Sequence, residues 1–599
     1  MSIKSLQKVV LFTVILKSAS GCFKNKTGAD NLWSNSNHVE SSNHMNAEGE
    51  SNANGGSSDD PIAPGVVESF NPQVQNAAFI EILKESQTAS PGCEQSSPSA
   101  PEARILTADE YVAAVNFAFD MQLDGSFAQS YLPADNFMQG YPHLRQANVM
   151  SKERLSAFFE AAYEIAGQMG ARSTQILNCN SGNKSQCLKT WLEQTLPKLW
   201  RRNSNTSEIE REVEHFTREG SGTDPFIATI TRILVSPYFL YRMRIGEQGQ
   251  LTSWEVATAL SDALWAGKFD ETLADHALSN RLSTPEQIQR EITRMMQSAQ
   301  FYAGTKRFTQ SWLETSLLVG RGMKPNKDLQ LEEIHLKYLA EETTAFLYYL
   351  MANGQTTTED FFNSDFTFTH RQVANLYGMK HDNASSQIPG MPSGYVKANF
   401  NAPLGGLLSQ PSVALSISSE QHTNIPLRGK KILSHFMCMY LETPENLADN
   451  INMTVFDKNL SALDALNEVT AKEPCASCHR TVNGPGAALE TLSPIGRTRT
   501  LDDHSKPAKS DGWLPSILGG QTDVHGVKEL SAALGNATDT GVCATVQVFR
   551  HIYARLEKKE DKCNIARIYH SAHDQGKNAF QLKSVFSAIL SSDEFLQRK

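Results

Sequence analysis

Cys475, Cys478 and His479 stand in the run Glu473-Pro474-Cys475-Ala476-Ser477-Cys478-His479-Arg480, a C-x-x-C-H spacing whose chemistry is covalent attachment of haem. On a helical turn, positions i, i+3 and i+4 share one face, so two thiols can bond the porphyrin vinyls while the imidazole reaches the iron. A redox dithiol and half of a zinc site are the alternative uses of the same residues. No second C-x-x-C occurs in the chain, which weakens zinc.

The position of methionine restricts the sixth iron ligand. All sixteen Met precede Cys475, the last being Met453, so an axial Met downstream of the motif is excluded. The candidates are Met437, Met439 or Met453, one of His504, His525, His551, His570 and His573, or no protein group at all. A His pair would lower the potential, and an empty position would admit small ligands.

The elements that must position this motif begin far upstream. At 599 residues the chain is too long for one core and suggests two to four domains. Its formal net charge of -10 gives no surface for phosphate backbones, so nucleic-acid binding is excluded. Lys4, Lys8, the apolar run Val9 to Leu16 and then Ala19-Ser20-Gly21-Cys22 have the anatomy of a secretory signal. The ending resembles a bacterial lipoprotein signal, in which Cys22 carries the lipid; Lys17 and Ala19 depart from that pattern, and plain secretion is the alternative. Both place the chain outside the cytoplasm, where c-type haem is attached. From Phe23 to about Asn76 the chain is rich in Ser, Asn, Gly and Asp, and reads as a disordered tether with a reach of about 40 Å.

Helix signals dominate the rest. Thr107 and Glu110 form a capping box before Tyr111, Val112 and Val115. The device recurs at Thr252 to Glu255, at Ser283-Thr284-Pro285-Glu286 and at Ser207 to Glu210, each followed by apolar residues at helical period. The fold class is mainly α. Ile233 to Arg242 and Ile589 to Arg598 share Ile, Leu, Ser, Phe, Leu and Arg at matching places. They read either as a duplicated helical hairpin or as two amphipathic helix ends that look alike. With Cys22 assigned to lipid and two cysteines to haem, Cys179 with Cys187 and Cys543 with Cys563 are the expected disulfides. Cys93 and Cys438 either pair or, for Cys438, stay as a buried thiol. His335, Lys337, Glu341 and Glu342 read as a solvated helix face, and His422 as a loop residue that could line a cleft. No hydrolase or nucleotide motif is present.

Several stretches together resemble the planctomycete-type cytochrome-c-like multidomain family, assembled from domains of unknown function 1587, 1595, 1592, 1588 and 1585. Leu106-Thr107 to Tyr111 is similar to the opening of the first, and Trp200-Arg201-Arg202 to a signature of the second. Leu251 to Glu255, Phe366-Thr367-Phe368, Leu376-Tyr377-Gly378 and Pro426-Leu427-Arg428-Gly429 are similar to the long central module. Cys475, Cys478, His479, Gly486, Glu490, Gly496 and Arg499 fall on the pattern of the haem-bearing one. Asn483-Gly484 and Ser493 replace its two acidic positions. Glu490 is then expected to pair with Arg497 or Arg499, or Arg499 to hold a haem propionate.

The resemblance implies a haem-c protein of the bacterial envelope. The expected order is a signal at 1–22, a tether at 23–100, helical modules at 101–170 and 171–245, a central module at 246–445, the haem module at 446–535 and a helical hairpin at 536–599. The expected activity is single-electron transfer with a redox partner protein, membrane-held through the N-terminal lipid. The alternatives are a peroxidase- or oxidase-like haem enzyme acting on a small-molecule substrate bound by the central module, and a haem-free surface binding protein with a structural C-x-x-C.

Overall fold

Phe79, Ile82 and Leu83 stand at i, i+3 and i+4 of helix α1 (Ala77–Gln87), and all three are fully buried. That helix lies inside the stretch 23–100 expected to be an unstructured tether, which is corrected here. The polar composition upstream conceals a three-turn amphipathic helix that packs on the C-terminal helices. The computed structural model describes residues 77–599 apart from 89–92, 94–97, 180–181, 219–223, 319–330, 354–356, 381–387, 401–403, 419–421, 442–456, 474 and 575–578. The expectations for 1–76, including lipidation of Cys22, lie outside the described residues, as does Met453.

The described residues are mainly helical, with only two-stranded antiparallel sheets among them. No described helix is long and apolar enough to cross a membrane. Strand β1 (Glu102–Ile105) leads into α2 (Ala108–Phe119), whose start carries the reciprocal capping box of Thr107 and Glu110. Strand β2 (Tyr241–Arg244) pairs with β1, and α3 (Ser253–Trp265) starts with the Thr252 and Glu255 box. The other two caps are displaced from their expected places. Thr284 pairs with Gln287, one residue later than Ser283 and Glu286. Asn205 and Glu208 exchange hydrogen bonds two residues before Ser207 and Glu210. In each case a shifted pair of the same residue types satisfies the first-turn amides equally well.

The internal echo has a structural counterpart. Helices Pro225–Leu234 and Leu582–Leu590 both end at Leu, and Ser236 and Ser592 then cap the four-residue helices Pro237–Leu240 and Asp593–Leu596. Phe239 and Phe595 are both fully buried. The Leu240 carbonyl accepts from Leu106 N–H at 2.9 Å and the Leu596 carbonyl from Leu251 N–H at 2.8 Å. Each echo thus docks on the residue before a Thr-x-x-Glu helix start, a shared arrangement that chance likeness of helix ends does not require.

Helix α4 (Glu333–Ala352) is buried from Leu339 to Met351 except at Tyr349. Glu341 and Glu342, expected on a solvated face, are 8% and 0% exposed. Apolar residues on both sides of the Glu-Glu-Thr-Thr stretch draw this part of the helix inside. The strands β3 (Phe366–His370) and β4 (Tyr395–Asn399) cover it. After α5 (Ile425–Phe436) come α6 (Ala462–Val469) and the motif helix α7 (Cys475–Ala487). The hairpin of β5 (Asp511–Pro515) and β6 (Gln521–His525) precedes α8 (Thr538–Tyr553) and α9 (Lys562–Ser571). One apolar cluster runs from Phe79 through Leu260, Phe346 and Leu489 to Phe595, so residues of the expected central, haem and C-terminal modules share a core.

Cys179 and Cys187 are bridged as expected, but Cys543 and Cys563 are not joined to each other. Cys543 bonds Cys438, and Cys563 bonds Cys93. The reason is the antiparallel α8–α9 hairpin. Asn564 hydrogen-bonds Tyr553 at the far end of α8, while Gly541 packs on the Tyr569 ring. Ten residues of α8 therefore separate Cys543 from the level of Cys563, about 15 Å of helix, beyond the reach of a disulfide.

Candidate functional site

Helix α7 owes its start to Glu473, whose carboxylate accepts from Ser477 N–H at 3.2 Å and holds Arg480 at 2.6 Å on the solvent side. Cys475, Cys478 and His479 lie half-buried on one face. Cys475 and Cys478 are the only free thiols among the described cysteines. His479 Nδ1 lies 2.9 Å from Asn483 Oδ1, and Asn483 Nδ2 donates to Asn467 Oδ1 on α6 at 3.1 Å. With the Asn483 oxygen as acceptor, a neutral imidazole carries its proton on Nδ1 and leaves Nε2 bare. A ligand histidine is ordinarily held in this way through its other nitrogen. Sequence reading treated Asn483 only as a lost acid; its i+4 spacing from His479 was the available signal.

Farther along, α7 packs on α5 without side chains between the backbones. A Cβ on Gly429 of α5 would overlap the Val482 carbonyl, and one on Gly486 would overlap the Ile425 carbonyl. Trp513 of β5 covers Gly484 with its ring and donates from Nε1 to the Arg480 carbonyl at 3.0 Å. On the α6 side a small apolar cluster of Ile425, Leu463, Leu466 and Ala487 closes the helix end.

Arg428 and Glu490 fasten the crossing. Arg428 is 1% exposed and donates to the carbonyls of Leu489, Leu492 and Ser493 at 2.7, 2.9 and 3.1 Å, which continue the chain beyond α7. Burial pushes its guanidinium down to about 10, against the favourable field of Glu490. Burial also pushes the Glu490 carboxyl up, opposed by Arg499 and Arg428. Arg499 reaches Glu490 through Oε2 and the backbone carbonyl at 2.7 Å each, Asp503 at 2.6 Å and Thr423 at 2.7 Å. Arg497 instead donates to the Asn375 carbonyl.

The candidate distal ligands separate clearly. Met437 and Met439 are 1% and 0% exposed within the main core. His551 is fully enclosed by Phe308 and Phe586, with Nε2 on the Ala263 carbonyl at 3.0 Å. His570 lies against Tyr569 on α9. His525 is exposed and held by Asp511, which raises its pKa. His504 is half-buried beside the segment entering α6, with Nδ1 on the Leu460 carbonyl at 3.1 Å. The side chain of His573 lies outside the described residues. His422 is exposed, next to Thr423 of the Arg499 network.

The donor set fits a covalently held haem: two unbridged thiols and a bare imidazole nitrogen on one half-exposed face, with the imidazole tautomer set by Asn483. Two family models match the chain, and the second covers this region. Residues 251–379 match PSD4, described as a protein of unknown function (DUF1592), and residues 404–502 match PSCyt3, described as a protein of unknown function (DUF1588). The second span contains Arg428 and Gly429 together with Cys475, Cys478, His479, Glu490 and Arg499. No curated protein and no solved structure matches the chain.

Proposed function

Because the chain carries the DUF1592 and DUF1588 modules of the planctomycete-type cytochrome-c-like multidomain family, we propose that it is a mono-haem c-type electron-transfer protein of the bacterial envelope, anchored by lipid on Cys22. The observation that carries this reading is the face of α7, where the only free thiols among the described cysteines flank a histidine oriented by Asn483. Cys475 and Cys478 form the thioether links and His479 Nε2 is the proximal ligand. When bound, haem iron supplies a one-electron redox couple. The protein's part is to hold the imidazole, through Asn483 and Asn467, and to lock α7 through Arg428, Glu490 and Arg499.

The test is a pyridine haemochrome spectrum with a haem-stained gel of the chain exported in a host with c-type maturation, beside Cys478→Ala. One covalent haem per chain, absent from the variant, is the expected result. No covalent haem in the parent would leave an exported binding protein with a structural C-x-x-C.

The neutral partner of His479 makes a second prediction. Asn483→Asp places a carboxylate behind the imidazole and raises its basicity, so the midpoint potential should fall by on the order of 50 mV. An unchanged potential at unchanged haem content would remove Asn483 from the ligand's support.

The haem-enzyme alternative draws on one feature, an open cleft of about 820 Å³ lined by Phe117, Phe119, Trp191 and Phe269 with Lys198 and Asp270. It is built between α2 and the residues following α3, with Trp191 and Lys198 from Lys184–Trp200, at the edge of the central module rather than inside it. A haem spectrum altered by cyanide or carbon monoxide would favour this reading over electron transfer.

A further inference from the structure

Phe117 and Phe119 stand at the end of α2, where Asp120 takes the left-handed conformation and stops the helix. Both line the open cleft of about 820 Å³, together with Trp191 and Phe269. Trp191 lies nearly parallel to Phe119, at 5.8 Å between centroids and 15° between planes, and Phe117 lies 5.7 Å from Phe269. Residues outside the lining hold these rings in place. Buried Phe226 packs on Trp191 at 5.9 Å, and the buried Arg201 guanidinium stacks 3.7 Å from the centre of Phe269. The helix Lys184–Trp200, which carries Trp191, is tied near its start by the Cys179–Cys187 bridge. Phe117, Phe119 and Trp191 themselves are only half-buried.

Charged residues of both signs complete the lining. Lys198 holds Glu271 through both carboxylate oxygens, at 2.8 and 3.0 Å. Asp120 and Lys268 are exposed, and Asp270 is fixed by two hydrogen bonds from Arg294. A paired ammonium and carboxylate present donors and acceptors side by side with little net charge. The matching ligand therefore has apolar faces, edges that both donate and accept, and no charge of its own.

We propose that the cleft binds an uncharged saccharide, with a pyranose face against the Trp191 and Phe119 wall and its hydroxyls on Lys198, Glu271 and Lys268. An anionic ligand would meet three carboxylates, Asp120, Asp270 and Glu271, against two ammoniums. A planar apolar ligand would take water from the charged groups and return no hydrogen bonds. The volume suits a small-molecule site, and the open side lets a longer glycan continue into solvent. Binding here requires neither haem nor electron transfer.

The test is electrophoresis of the full chain through native gels containing hydroxyethylcellulose, laminarin or arabinoxylan, with alginate as the charged comparison. Salt-insensitive retardation by at least one of the three neutral polysaccharides is expected in the parent. Trp191→Ala should weaken the apparent affinity about tenfold, and Lys268→Ala about threefold. Melting temperatures are read alongside, because Trp191 also supports Phe226. If Trp191→Ala does not fold, Lys268→Ala decides, since that side chain is exposed. No retardation by any neutral polysaccharide, or equal retardation of the parent and both variants, would overturn the proposal. Retardation by alginate alone, lost at high salt, would overturn it in favour of a polyanion.

Discussion

Gly429→Ala is expected to destabilise the chain by about 3 kcal/mol, the upper end of what overpacking ordinarily costs in a closely packed interior. On helix propensity alone the same change would stabilise by about 1 kcal/mol, so the sign of the effect separates the two causes. The site is unforgiving because the new methyl would overlap the Val482 carbonyl, a backbone atom inside α7, and no side-chain rotamer can clear it. Gly486 meets the Ile425 carbonyl in the same crossing, so the two helices approach backbone to backbone. Thermal and denaturant unfolding measure the loss. Gly167, an exposed position of the helix Lys152–Gly170 with nothing within 4 Å of its would-be Cβ, is the control. Gly167→Ala should stabilise by roughly 0.5–1 kcal/mol. Equal small gains at both positions would refute the close crossing as the constraint on α5 and α7.

Glu342→Gln is expected to remove a pH dependence of stability. Burial raises the Glu342 carboxyl to about 8, against the opposing pull of His370 N–H, Tyr377 and Thr369. His370 N–H donates at 2.6 Å, the Thr369 hydroxyl at 3.0 Å and the Tyr377 hydroxyl at 2.8 Å. A folded pKa above the unfolded one means that the folded chain binds the proton more tightly. The stabilisation is then complete below about pH 4.5, declines as pH rises and is lost by about pH 8. The slope is at most about 1.4 kcal/mol per pH unit, a few kcal/mol across the window. Urea midpoints at pH 5, 6.5 and 8 should fall progressively in the parent and stay nearly level, relative to it, in the glutamine variant. Parallel curves for the two chains would show that Glu342 does not titrate in this range. Sequence reading placed Glu342 in water because a charged pair on a helix ordinarily seeks solvent; the apolar residues Leu339, Ala340 and Ala345 to Leu350 on either side were the available signal of enclosure.

Local geometry was the part legible in the chain itself. The capping boxes at Thr107 and Thr252, the common face of Cys475, Cys478 and His479, and the short loop closed by Cys179 and Cys187 each depend on residues within one or two turns, whose relative positions follow from helix period alone. The echo of Ile233 to Arg242 in Ile589 to Arg598 belongs with these, since each copy caps and turns its own helix end. Tertiary structure decided what depends on distant partners. Cys93 and Cys563 are 470 residues apart, and Cys438 finds Cys543 across 105; the antiparallel α8–α9 hairpin, invisible in the spacing of cysteines, sets those pairs. The burial of Glu342, the meeting of Phe119 with Trp191 and the glycine-to-carbonyl crossing of α5 and α7 have the same origin. They are set by which faces meet when helices condense into one core, and a residue's type does not encode which backbone or which charge will stand against it.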